Sequence, residues 1–454
     1  MKGSLARAQR WGRPRHAGRR APRYPGPMWT VALLLSLGAC GDSQIHGDVL
    51  RFRGAPPENL LWLSIDTLRR DRLGSFGGDA AVTPGLDALI RGGVLLRDHR
   101  SCAGWTWPSV LCATRGIGPY VLPHVATIYT NRLPAPEGPT LASMLLAEGY
   151  ATGLFSSNKW LGPDWGSSGG FEVTEVSSGQ DANEIFALSR KFLRGASAPW
   201  FVHLHVREPH DPYDAAVPAN LHSLTPIPYD LTDQEEYKRI DADWSGLSVN
   251  EQALITAHLF ARYDAELREV DGRIAAGLAD FERAGLLDDT LVVVWSDHGE
   301  QFLEHGHLTH AWDLYSEEND ALALFWAKNL LPGSWSGATT HADLAPTSLA
   351  ALGLATLASM SGLPVGAAPA ERVDHLFQVA RRGPTSAVVQ SGFKLIYRWE
   401  GGKKELYDLG ADPEERRSIY DPEDARVVAL WEALLPEIER IKPVVEVAPA
   451  SPGP

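Results

Sequence analysis

The sequence predicts an α/β protein: a doubly wound, mostly parallel sheet followed by a small C-terminal α+β subdomain. Three observations carry this. Short apolar runs end in acids or histidines, as buried parallel strands do at their functional ends. Amphipathic helical stretches alternate with those runs. Past residue 370 the pattern changes to short strand-like runs around a glycine pair. At 454 residues, the chain suits one large domain plus a smaller one.

The N-terminal 27 residues hold eight Lys and Arg and no acid, and the apolar run "MWTVALLLSLGAC" follows at 28–40. That run is too short for an ordinary membrane span and has the length of a signal-peptide core. Leu37-Gly38-Ala39-Cys40 resembles the bacterial lipobox, so residues 1–40 are expected to be a signal peptide with a lipid anchor on Cys40. The alternatives are an ordinary signal peptide, or a start at Met28. The expected location is exported and lipid-anchored to the bacterial cell or outer membrane, facing the periplasm or the exterior. Processing would remove eight positive charges and take the net charge from −14 to −22. Such a surface argues against a nucleic-acid partner. The cysteines left, Cys102 and Cys112, are either a disulfide around the segment between them or two buried thiols.

Residues 41–57 read as a polar tether ending in Pro56-Pro57, and 58–370 as the main α/β domain. "NLLWLSID", 59–66, is a buried strand ending in Asp66. "TPGLDALIRGG", 83–93, starts a helix with Thr83 as the cap and Pro84 in the first turn. "PTLASMLLAEGYATGLFSSNKW" reads as a helix, a stop at Gly149 and a strand. "WFVHLHVREPH", 200–210, is another apolar run with polar groups at its end. The acidic stretch 222–250 reads as a loop-like surface insertion. Residues 250–284 form a helix with Leu267, Val270, Ile274, Leu278 and Phe281 on one face. "DDTLVVVWSDHGE" is a strong strand ending at Asp297-His298. The subdomain spans 371–445, with a hairpin around Gly401-Gly402, and 446–454 is a disordered tail.

Asp66, Asp297 and His298, brought to one edge of a parallel sheet, would form a divalent-metal site. The Thr106 hydroxyl, in "GWTWPSVLC", would complete it, and a metal would activate that weak nucleophile.

These segments resemble the sulfatase family of the alkaline phosphatase superfamily, over residues 58–420. "LSIDTLRRDRLGSFGG" is similar to its first metal-binding segment and is followed by the typical "TPGLDAL". "REPHDPY" resembles Asp-Pro-His-x-Pro-Tyr, with Glu208 for the Asp. "SDHGE…EHGH" resembles the second metal segment, and "HADLAPT" and "ELYDLGADPEE" match segments of the C-terminal part. The resemblance implies an alkaline-phosphatase-like fold, Asp66, Asp297 and His298 as metal ligands, and Thr106 as nucleophile and fourth ligand. It implies that Lys159, in "SNKWLG", binds the transferred group, and that His210 contacts the ester oxygens or leaving group. His310 matches a histidine of many members. A surface lysine and satisfied loop histidines are the alternatives for these three. His305, His307 and His124 are weaker candidates.

The chain also departs from that family. Where most members carry Cys-x-Pro-Ser-Arg or its serine form, oxidised to formylglycine, this chain has Thr106-Trp107-Pro108-Ser109-Val110. Threonine cannot give that aldehyde. The second acid of the usual Asp-Asp pair is Thr67. One expectation is a metal-dependent hydrolase or transferase of sulfate or phosphate esters, with Thr106 attacking directly and an anionic ester as substrate. The other is an inactive, sulfatase-fold lipoprotein that binds an anionic ligand or partner. Loss of a carboxylate at Thr67 and gain of an imidazole at His298 shift the expected metal toward manganese, zinc or iron, with calcium or magnesium as the hard-cation alternatives.

Overall fold

The computed structural model describes residues 50–120, 138–215, 224–369 and 371–447, all in one compact unit. The expected signal segment with Cys40, most of the expected tether, His124 and the last seven residues lie outside them.

The strands of the main sheet are β1 (Asn59–Ile65), β2 (Val94–Arg100), β3 (Ala151–Ser156), β4 (Val173–Val176), β5 (Trp200–Val206) and β6 (Thr290–Ser296). The short pair β7 (Gln301–Phe302) and β8 (Leu308–Thr309) stands apart, and β9 (Ala323–Trp326) and β10 (Gly333–Thr340) complete the sheet. Its order is β10-β2-β9-β6-β1-β5-β3-β4. Every pairing is parallel except those of β9, which runs against both β2 and β6.

The central strands are buried on both faces, which is why they read as continuous apolar runs. On β1, Leu61, Leu63 and Ile65 enter one core, while Leu60 and Trp62 enter the other. The first core lies under α1 (Pro84–Gly92), α4 (Ala182–Leu193) and α6 (Val249–Arg283). The second lies under α2 (Thr106–Arg115), α3 (Leu141–Ala147) and α8 (Leu344–Ala351). Each large side chain fully buried there contributes about 1.5–3 kcal/mol.

Three local expectations change. Thr83 does not cap α1: its hydroxyl donates to Asp87 Oδ2 at 3.2 Å. The acidic stretch read as a loop contains α5 (Gln234–Asp243), which buries Tyr237 and Ile240, three residues apart on one face, under an otherwise charged surface. The tether is docked near its end, where Phe52 bridges to Leu330 and the Arg53 N–H donates to Asn329 O at 2.7 Å.

The C-terminal sheet is an antiparallel meander of β11 (Asp374–Ala380), β12 (Gly383–Gln390), β13 (Phe393–Arg398) and β14 (Lys404–Asp408), packed on α9 (Ala425–Val447). The β13–β14 turn runs through Gly401 and Gly402, both at positive φ. α9 extends through 446–447, into the expected tail.

Candidate active site

The functional groups collect at the C-terminal ends of β1, β3, β5 and β6, where an open α/β sheet places its ligand site. Asp66 and Thr67 follow β1, and Asp297 and His298 follow β6. Thr106 is the first residue of α2. Trp105, in the cap position, makes no side-chain cap bond there.

The tryptophans around Thr106 are structural. Trp105 and Trp107 join a small core with Trp160 and Trp165, and the Trp107 indole N–H donates to Trp165 O at 2.8 Å. The Gly104 N–H donates to Gln378 Oε1 on β11 at 2.9 Å. Cys102 and Cys112 are joined in a disulfide, with Cα atoms 6.5 Å apart, so Thr106 sits inside a closed covalent loop.

Four donors face one another. His298 Nε2 lies 3.3 Å from Thr106 Oγ1, 3.5 Å from Asp66 Oδ1 and 3.6 Å from Asp297 Oδ2. His298 Nδ1 is 2.8 Å from Gly299 O and donates to it, which turns the Nε2 lone pair toward the carboxylates. Gly299 is required here: a Cβ would stand 2.0 Å from Glu317 O. The outer oxygen of Asp66 is already held, accepting from Asn158 Nδ2 at 2.7 Å and lying 3.4 Å from His205 Nε2. His205 Nδ1 in turn is 2.8 Å from Ser64 Oγ. Asp297 Oδ1 accepts the backbone N–H groups of Thr67 and His298, at 3.2 and 2.8 Å.

Burial makes this cluster electrostatically tense. Burial opposes the charge of Asp66, but the His205 hydrogen bond and then the His210 charge outweigh it, and hold the carboxyl well below its usual range. Burial, and then the Asp66 charge, push Asp297 well above. Burial and neighbouring His310 keep His298 neutral. Asp297 Oδ2 and the adjacent Thr67 Oγ1 are buried with no hydrogen-bond partner, each at a cost of about 1–3 kcal/mol. Two orphaned oxygens, a carboxylate pair under mutual repulsion and a free imidazole nitrogen fit a divalent cation held by Asp66, Asp297, His298 and Thr106. The donor atoms of Asp66, His205 and Asp297 also lie within 4.8 Å of one another.

The mouth of the site is built from histidines. His210 Nδ1 is 3.0 Å from Asp211 Oδ1 and 2.8 Å from Asp211 O, and Arg207 Nη2 is 3.1 Å away. Burial opposes the imidazolium, yet the Asp211 carboxylate pushes His210 up to about 10. His310 Nδ1 is 2.9 Å from Glu300 Oε1, whose other oxygen accepts from Tyr213 OH at 3.1 Å. Burial and the His210 charge hold His310 at about 3. The His310 ring is 4.5 Å from that of His298 and 5.0 Å from that of His210.

Backbone strain marks the same places. Thr67, beside Asp66, has φ 51°, and Thr309 and Ala311, on either side of His310, have φ 66°. Such non-glycine residues cost about 1–3 kcal/mol each and persist where neighbours hold them. Here the buried Glu318 carboxylate accepts the N–H groups of Ala311, Trp312 and Asp313, at 3.1–3.4 Å.

Asp66, Thr106, Asp297, His298, His210 and His310 therefore come together. Lys159 does not. It is exposed, with its ammonium 5.3 Å from the Trp160 ring centre, and the preceding Asn158 enters the cluster instead. Asn158 also caps the short turn after β3, accepting from the Trp160 N–H at 3.0 Å, and this turn carries residue 159 outward. His305 is held off by Glu317 and stacks on Tyr315 at 3.5 Å. His307 stacks on Trp312 at 4.3 Å. Residues the motifs did not reveal are Asn158, His205, Arg207, Asp211, Glu300 and Glu318. The one available signal was a pair of histidines, His203 and His205, in an otherwise apolar strand.

A family model described as Sulfatase matches residues 58–354. The choline-sulfatase of Rhizobium meliloti is 23% identical over 429 residues, covering 80% of this chain and 82% of its own. A solved structure in complex with its substrate, D-glucosamine-2-N,6-O-disulfate, superposes with a TM-score of 0.67 at 18% identity, covering 87% of this chain and 99% of that one. The phosphonate monoester hydrolase of Agrobacterium radiobacter gives 0.59 at 17% identity, covering 85% and 95%. With the match running across most of the catalytic sheet and through every strand end that bears a site residue, the chain belongs to the sulfatase family.

Proposed function

We propose that this protein is a metal-dependent hydrolase of sulfuric or phosphoric esters in which Thr106 itself is the nucleophile, without formylglycine. The observation that carries the reading is the convergence of Thr106 Oγ1, Asp66 Oδ1 and Asp297 Oδ2 within 3.6 Å of His298 Nε2. The same cluster leaves Asp297 Oδ2 and the neighbouring Thr67 Oγ1 buried without a hydrogen-bond partner, a cost that a bound cation would offset. The related enzymes act on sulfates and on phosphonate monoesters by name, and the present site suits either tetrahedral oxyanion.

Asp66, Asp297, His298 and Thr106 would hold a divalent cation, which would supply charge neutralisation and a lowered hydroxyl pKa. Asn158 and His205 orient Asp66, and the start of α2 favours the incoming anion. Thr106, its hydroxyl proton already lost to solvent, attacks sulfur or phosphorus through the Oγ alkoxide and leaves again as the alkoxide on hydrolysis; as the bond to the alcohol oxygen breaks, His210, as imidazolium, donates a proton to that oxygen. Water then releases the threonyl ester, its proton passing to His210. His310, neutral at the other wall of the mouth, holds an ester oxygen or that water. The nitrogen ligand and the absence of an acid at 67 favour manganese, zinc or iron.

Export with lipidation of Cys40 belongs to the same reading and is supported by the Cys102–Cys112 disulfide, which suits an oxidising compartment. Cys40→Ser should release the protein from the membrane fraction; unchanged fractionation with no lipid on the N-terminal peptide would remove this part of the reading. For the activity, the metal-loaded protein is assayed with aryl sulfate, aryl phosphate and phosphonate monoesters. Turnover of at least one, together with stoichiometric transition metal by elemental analysis, is expected. Stoichiometric metal with no turnover of any of them would favour a binding protein.

A further inference from the structure

Two guanidinium groups stand at the mouth without a carboxylate partner within ion-pair distance among the described residues. Arg207 touches His210 Nδ1 and donates to the backbone carbonyl of Asp211 at 3.0 Å. Arg381 is exposed at the tip of the β11–β12 hairpin. Its backbone N–H donates to Ala311 O at 3.0 Å, and its guanidinium lies 5.0 Å from the Trp312 ring centre. Trp312 stacks on His307 at 4.3 Å and 16°. The C-terminal subdomain thus sets one cation on an aromatic face two residues from His310.

The neighbouring arginines are different. Arg382 is paired to Asp313 at 3.2 Å, and Arg398 to Asp313 and Glu405. Asp241, the acid that α5 brings to this rim, stands 3.8 Å from His307 Nδ1 and outside ion-pair distance of Arg381. The transferred group's charge is already met by the inner cluster and His210. The Arg381 charge is felt by Asp241 without an ion pair between them, so the guanidinium head stays available, with Arg207, to a second anion. A guanidinium matches a planar carboxylate or one edge of a tetrahedral oxyanion, and a tryptophan face suits a ring.

Resting on the activity proposed above, we infer that Arg381 on its Trp312 platform, with Arg207 nearer the reacting centre, forms a subsite for a second negative charge on the leaving group. The substrate is then an ester of a ring-bearing alcohol that also carries a carboxylate or a second sulfate or phosphate. A quaternary ammonium alcohol would be repelled.

The test uses the full chain, metal-loaded, and two ester pairs: phenyl and 4-carboxyphenyl sulfate, and phenyl and 4-carboxyphenyl phosphate. Within a pair only the distal charge differs. The carboxylated ester should have the higher kcat/KM by about tenfold or more, the scale of a charge-assisted hydrogen bond. That ratio should fall toward one in Arg381→Gln, be partly retained in Arg381→Lys, and stay at the wild-type value in Arg382→Gln. A wild-type ratio near one, or a preference unmoved by Arg381→Gln and Arg207→Gln, would overturn the subsite while leaving the hydrolase reading intact. If none of the four esters nor a phosphonate monoester turns over, the hydrolase reading fails instead. The subsite is then read by calorimetry of the two phosphates with Thr106→Ala protein, where equal affinities would overturn it and tighter binding of the carboxylated one, lost in Arg381→Gln, would uphold it.

Discussion

The inner cluster and the mouth are both rich in histidine and carboxylate, yet they solve opposite problems. Asp66, Asp297 and His298 are fully buried and Thr106 is 2% exposed. Their mutual repulsion and orphaned oxygens leave them short of one positive charge. At the mouth each imidazole has its own carboxylate, and the outcome is set by the state of that carboxylate. Asp211 stays ionised, held well below its usual range by the charge of His210 against the opposing effect of burial, so it stabilises an imidazolium. Burial, and then the Asp211 charge, push Glu300 well above its usual value, so Glu300 offers His310 no full charge. Two histidines whose rings are 5.0 Å apart are thereby divided into an imidazolium and a neutral ring. Histidine chemistry here is decided by the partner, and the partner's chemistry by burial.

The largest expected effect breaks the inner cluster. Thr106→Ala should lose about three or more orders of magnitude in kcat, as removal of a covalent nucleophile does, while Thr106→Ser, which keeps the hydroxyl, retains much of the rate. Equal loss in both variants at equal metal loading would mean that the threonine acts through shape. Thr106→Cys should not yield a formylglycine enzyme, because Val110 leaves the modification motif incomplete.

His298→Ala should come next, lowering metal affinity about 10–100-fold or more by equilibrium dialysis, with activity partly restored at high metal concentration. Stoichiometric calcium that survives the substitution would contradict the ligand set.

The mouth is tested by pH. With His210 at about 10, its imidazolium favours the fold fully below its ordinary value near 6.5, and that contribution is lost as pH rises through 10. Activity that needs the imidazolium should hold to a similar pH. Asp211→Asn should move the alkaline limb of kcat down toward neutrality by more than one pH unit; an unmoved limb would assign it to another group. The smallest effect is expected at Lys159. Lys159→Ala should change kcat/KM less than about twofold, as surface substitutions do, whereas Asn158→Ala, which frees the outer oxygen of Asp66, should cost about tenfold or more in kcat.

The legible part of the site was the part that sits at the ends of apolar runs. Asp66 and Asp297-His298 close two of the most apolar strands, and the parallel sheet puts those ends side by side. What escaped notice was set by rotation and by tertiary partners. Lys159 and Asn158 differ by one position, but a turn capped by Asn158 reverses which of them faces inward. His205 reads as one more residue of its strand, and only the fold gives it two partners, Ser64 and Asp66. Asp211 and Glu300 lie inside the quoted motifs "REPHDPY" and "SDHGE", and only the fold reveals which imidazole each one governs. The stretch 222–250 read as a loop because its charges hide the buried pair Tyr237 and Ile240.

Whether Thr106 becomes covalently loaded is the most direct question. The metal-loaded protein is mixed with an ester that it turns over, quenched in acid within a single turnover, digested and examined by mass spectrometry. The expected result is the added mass of one sulfuryl or phosphoryl group on the peptide containing Thr106, absent from Thr106→Ala. Rapid turnover with that peptide unmodified, and a Thr106→Ala variant as fast as the wild type, would contradict the account.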